Sequence, residues 1–136
     1  MGYYVHINVV MKCANHNELV EVAKKYSEKI ADCTEAQSFL NYISEGKGYA
    51  CGHKGALLTW GIVGNYTDAD DFIKKLEPFF LEIYDKECGP LDFEHILVFC
   101  EAEQSESATA YELIYDEKEK KLEVKVHHCP FAWMQF

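Results

Sequence analysis

Residues 3–13 alternate apolar side chains with more polar ones, and this alternation constrains the fold more than any other feature of the chain. A period of two residues is typical of a β-strand with one buried face and one wet face. The alternation returns in residues 121–128. Residues 56–66, 93–103 and 108–116 are also predicted to be strands, and tight polar turns join 93–103, 108–116 and 121–128. The sequence therefore predicts a sheet of about five strands.

Two helices are predicted between the first and second of these strands. Residues 17–32 repeat apolar side chains at the i, i+3, i+4 spacing of a helix, and either Asn15 or Asn17 can cap its start. Residues 34–37 have the form of a capping box, which predicts a second, shorter helix that ends at Gly46.

A third helix follows residues 67–70, which have the pattern of a helix cap. Pro78 lies within it and predicts a kink or two abutting helices. Residues 46–55 hold four glycines and are predicted to form a flexible loop. The resulting order is β-α-α-β-α-β-β-β in a single domain over residues 1–136. We expect a two-layer α+β fold, a mostly antiparallel sheet with helices on one face, as a variant of the ferredoxin-like arrangement.

The charge of the chain limits the kinds of partner it can bind. Its 136 residues contain 23 acidic side chains against 13 basic ones, for a formal net charge of −10. Phosphate backbones and anionic membranes attract basic surfaces, so direct binding to nucleic acid or to a membrane is not expected. A basic protein or a nucleic-acid-binding protein complex is the better electrostatic match.

The chain shows neither a secretory signal pattern nor an apolar run of roughly 18 residues, so a cytoplasmic location is expected. Its six cysteines are then interpreted as reduced thiols.

Two groups of histidine and cysteine are candidate sites of chemistry. Cys51 and His53 lie in the glycine-rich segment, and His127, His128 and Cys129 follow one another near the end. Neither group has the paired spacing of a zinc site, and His127 and His128 should point to opposite faces of a strand. His53 could lower the pKa of Cys51, but the sequence supplies no clear orienting partner. The sequence therefore predicts no catalytic residue, metal site or cofactor.

Acidic and aromatic side chains remain as candidate binding residues. An acidic cluster lies between two predicted strands, and an uncharged aromatic tail ends the chain. The candidate partner-binding residues are Glu101, Glu103, Glu106, Phe131, Trp133, Met134 and Phe136. The acids could instead form a solvated rim, and the tail could fold back over the sheet. The apolar run of residues 96–100 predicts that both faces of that strand are covered, by the tail, a second copy or a partner.

These observations favour a small acidic binding or inhibitor protein that occludes a basic partner. Toxin-immunity proteins and phage-encoded inhibitors of nucleic-acid-binding defence complexes fit this physical description. One alternative is a small cysteine- or metal-dependent enzyme that uses Cys51 and His53. Another is a homodimeric structural module whose open sheet face is self-complementary.

Overall fold

The computed structural model describes residues 5–30, 32–46, 49–52, 55–64, 69–90, 95–102 and 107–130. In these residues, one antiparallel sheet packs against a layer of helices. This architecture confirms the predicted two-layer α+β class. The helices are α1 (His16–Ser27), α2 (Thr34–Ser44) and α3 (Ala69–Asp85). The strands are β1 (Val5–Cys13), β2 (Tyr49–Gly52), β3 (Gly55–Gly64), β4 (Ile96–Ala102), β5 (Ser107–Asp116) and β6 (Lys121–Pro130).

The six strands lie in the order β2-β3-β1-β4-β5-β6, and every neighbouring pair is antiparallel. Strands β1 and β2 are therefore parallel to each other with β3 between them, and helices α1 and α2 connect them. Strands β3 and β4 flank β1 in the same way, with α3 as their connection. Two such interleaved units give the ferredoxin-like arrangement. The β5–β6 hairpin extends the sheet beyond β4.

Strand β2 lies in the segment predicted to be a flexible loop, and that prediction was wrong for these four residues. The strand pairs with the start of β3, where Gly52 lies opposite Gly55. A strand this short, among glycines, carries little periodic signal, so its pairing partner determines its conformation. With β2, the sheet has one strand more than the five segments that the sequence indicates.

Helix ends agree with the sequence in part. The Asn15 side chain accepts a hydrogen bond from the Glu18 amide at 3.1 Å, as predicted for the first cap. The predicted capping box was wrong, because Thr34 is already helical and Cys33 occupies the N-cap without a side-chain hydrogen bond. Gly46 ends α2 with a φ of 75°, a left-handed conformation that glycine adopts without strain.

Helix α3 continues through Pro78 as one helix rather than two abutting ones. In the part of the chain that the structure describes, no helix is both long and apolar enough to cross a membrane.

The core lies between the helices and one face of the sheet. Phe39 of α2 is at its centre, fully buried, with its ring centroid 5.2 Å from that of Trp60 and 5.9 Å from that of Phe72. Tyr84 joins the two layers, because its hydroxyl accepts from the Ile96 amide at 3.1 Å and donates to the Leu113 carbonyl at 2.9 Å. Helix α3 is thereby fixed against the β4–β5 pair.

Candidate functional site

The helices cover only one of the two sheet faces in the described residues. The odd-numbered residues of β1 from Ile7 to Cys13 are buried against the helices, so the even-numbered ones point to the opposite side. We call this opposite side the open face. The strand register assigns further residues to it. Its central residues are His6, Asn8, Val10, Gly61, Leu97, Phe99, Glu101, Ala110, Glu112 and His127.

Phe99 is the most prominent apolar side chain of the open face. It is 38% exposed, whereas Ile96 and Val98 of the same strand are fully buried. The helices therefore do not cover Phe99, and its cover by the tail, a second copy or a partner stays a prediction. An aromatic ring held on a rigid strand and partly exposed is a typical anchor for a binding partner.

The neighbours of Phe99 leave its ring accessible. Across the sheet it lies between Asn8 of β1 and Ala110 of β5, and Asn8 pairs in turn with Gly61 of β3. A Cβ atom on Gly61 would overlap the carboxamide oxygen of Asn8, so the Asn8 side chain leans over Gly61 and away from Phe99. Gly61 thus makes room for Asn8, and Ala110 is too small to cover the ring from the other side.

Glu101 lies two residues after Phe99 and on the same face. It is exposed, with His6 of β1 and Ala108 of β5 as its pairing residues. The open face therefore carries an exposed carboxylate next to an exposed aromatic ring. The remaining candidates of the sequence prediction lie outside the described residues. These are Glu103, Glu106, Phe131, Trp133, Met134 and Phe136.

A cluster of three polar side chains lies near Leu97 on the same face. The Glu112 carboxylate of β5 is hydrogen-bonded to Nδ1 of His95, and its other oxygen lies 3.3 Å from Nε2 of His127 on β6. These hydrogen bonds, from His95 first and His127 second, lower the pKa of Glu112 below its ordinary value. The cluster holds a charged carboxylate in place and couples β5 and β6 to the residue just before β4.

This cluster was not predicted, because its members are 15 and 17 residues apart in sequence. Only the register of two hairpins brings them together. The alternation of residues 121–128 was the available signal, since it assigns His127 and His128 to opposite faces. The register confirms that part, with His127 opposite Ala110 and His128 opposite Thr109.

The described residues contain no group of three or more His, Cys, Asp or Glu side chains that could hold a metal ion. His53 lies outside the described residues, and Cys51 is described in its backbone alone, so their pairing is not tested. Burial raises the pKa of the Cys88 thiol to about 12, which keeps it protonated and unreactive at neutral pH. The arrangement of the open face is suited to recognition, through an aromatic ring and fixed charges.

No protein-family model, curated protein sequence or solved structure matches this chain significantly.

Proposed function

We propose that this protein is a non-enzymatic binding protein that occludes a basic protein partner through the open face. The observation that carries the proposal is the exposed Phe99 ring beside the exposed Glu101 carboxylate, on a sheet face that the helices leave uncovered. An inhibitor or immunity protein directed at a nucleic-acid-binding protein is the specific class that this chemistry fits.

Electrostatics supports a basic partner. The chain carries a formal charge of −10, so it attracts a basic surface over a distance of roughly a Debye length, about 8 Å at physiological salt. Near Phe99, Glu101 lies two residues farther along β4, and Glu112 lies on β5 opposite Leu97. Lys12 and Lys125 lie farther from the ring in the register.

Phe99 would supply the short-range part of the binding energy. Aromatic residues that become fully buried at the centre of an interface contribute most to affinity, while charges at the rim mainly speed association. Phe99 and Glu101 should therefore affect different rate constants of binding. Phe99→Ala should increase the dissociation rate, and Glu101→Lys should decrease the association rate and its dependence on salt.

The test starts with a partner captured from cells on the immobilised chain, purified and then measured by surface kinetics at several salt concentrations. Phe99→Ala should weaken binding about tenfold or more, the effect of losing a hot-spot aromatic residue. Glu77→Lys on α3 is the matched control, because it changes the net charge as much as Glu101→Lys does but lies on the exposed side of a helix.

Two results would contradict the proposal. Unchanged kinetics for both open-face variants would show that the partner binds elsewhere. An equal loss for Glu77→Lys and Glu101→Lys would show that net charge alone drives an unspecific attraction. Circular dichroism of each variant establishes that it is folded before its binding is compared.

A further inference from the structure

Strand β6 forms an edge of the sheet, and in the described residues it is paired on one side only, with β5. It is long, from Lys121 to Pro130, so it presents a row of main-chain donors and acceptors to solvent. Two of the three large apolar side chains that are exposed in the described chain lie on it, Val124 at 42% and Val126 at 48%. An edge of this kind is a ready site for pairing with another strand.

We propose that a second copy of this chain pairs with β6 edge to edge, antiparallel, about a two-fold axis at Val124. In that register Val124 lies opposite its own copy, and Leu122 lies opposite Val126 on the same face. On the other face, Glu123 of each copy lies opposite Lys125 of its partner. The interface therefore contains a continuous apolar row on one face and two opposite-charge pairs on the other.

The charge pattern selects this register over its neighbours. An axis at Glu123 would bring two Glu123 side chains together, and an axis at Lys125 would do the same for Lys125. Like charges directly opposite each other destabilise an antiparallel pair. Moving the axis by two residues, to Leu122 or to Val126, would place Val124 opposite Lys120 or His128 and would interrupt the apolar row.

The edge is held in position before pairing. Asp116 accepts hydrogen bonds from the amides of Lys118 at 3.0 Å and Glu119 at 3.2 Å, which orders the turn before β6. Lys120 in the same turn forms an ion pair with Asp85 at the end of α3, at 3.0 Å. A preorganised strand loses less conformational entropy when it pairs.

A two-fold axis normal to the sheet keeps both open faces on the same side. Two six-stranded sheets would join into one of twelve strands. Both Phe99 rings would then be presented in one direction. Edge pairing through β6 leaves that face free whatever binds to it.

Sedimentation equilibrium of the full chain tests the pairing. The wild-type protein should give twice the 15.7 kDa chain mass at high concentration. Glu123→Lys and Lys125→Glu should each raise the dimer dissociation constant about tenfold or more, because each creates two like-charge contacts. The double variant carrying both changes restores opposite charges across the axis and should dimerise like wild type.

Cross-linking tests the register. Val124→Cys should form a disulfide-linked dimer under mild oxidation, because the two residues 124 face each other across the axis. Val126→Cys should not, since its copy lies four residues away along the partner strand, about 13 Å. The wild-type chain, oxidised in the same way, gives the background from the native cysteines.

A monomer at all concentrations up to about 1 mM would overturn the proposal. A dimer that is indifferent to Lys125→Glu, or a double variant that is not restored, would also overturn it, because another surface would then hold the copies together.

Discussion

Strand β4 belongs to two different surfaces. On the side that faces the helices, Ile96 and Val98 are fully buried. Phe99, on the opposite side of the same strand, is 38% exposed. Both sides are apolar in sequence, so burial here depends on what lies above each face. The helix side holds the core that stabilises the fold, whereas the open face has apolar area that the helices leave uncovered. Substitutions should therefore affect stability on one face and recognition on the other.

The largest expected effect is on the helix side. Phe39→Ala should lower the free energy of unfolding by about 3 to 5 kcal/mol, since it leaves a cavity among Trp60, Phe72 and the neighbouring rings. Phe99→Ala removes the same side chain from the open face and should cost about 1 to 2 kcal/mol, in line with its partial burial. Urea unfolding of both variants measures the difference. Equal losses would contradict the distinction between the two faces.

A smaller effect is expected where α3 is tied to the sheet. Tyr84→Phe keeps the ring but removes the hydroxyl that bridges the Ile96 amide and the Leu113 carbonyl. Leaving these buried groups without that partner should cost about 1 to 3 kcal/mol. Tyr115→Phe is the control, because its ring stacks on Tyr84 at 5.2 Å and is only partly buried. A loss in the control as large as in Tyr84→Phe would show that the bridge contributes little.

The sequence predicted the fold class because alternation and helical spacing are local properties. Strand β2 was missed, since four residues among glycines take their conformation from pairing with β3. The helix cap at Thr34 was misplaced by one residue, because a local pattern does not specify the terminal residue of a helix.

The candidate site was harder to predict than the fold. Glu101 was identified from its charge and is exposed, but Phe99 was not singled out as a binding residue, because an apolar run does not reveal which of its side chains the helices leave uncovered. The Glu112 cluster depends on the register of three strands, which hydrophobic patterning alone does not specify.

The smallest predicted effect concerns the Glu112 cluster and its dependence on pH. Hydrogen bonds from His95 and His127 lower the pKa of Glu112 in the folded chain. A carboxyl group with a lowered folded pKa binds fewer protons when folded, so its contribution to stability is present above the ordinary value of 4.5. That contribution is lost as the pH falls below 4.5 through the lowered pKa.

Glu112→Gln should therefore lower the urea midpoint slightly at pH 7, and this difference from wild type should shrink as the pH falls below 4.5 and the wild-type carboxyl becomes protonated as well. Glu117→Gln, in the exposed turn before β6, removes the same charge outside the cluster and is the matched control. Because the cluster lies on the open face, Glu112→Gln should leave the packing of the core on the helix side unchanged. A difference between wild type and Glu112→Gln that grows as the pH falls would have the wrong sign, and it would mean that the histidines do not stabilise the charged carboxylate.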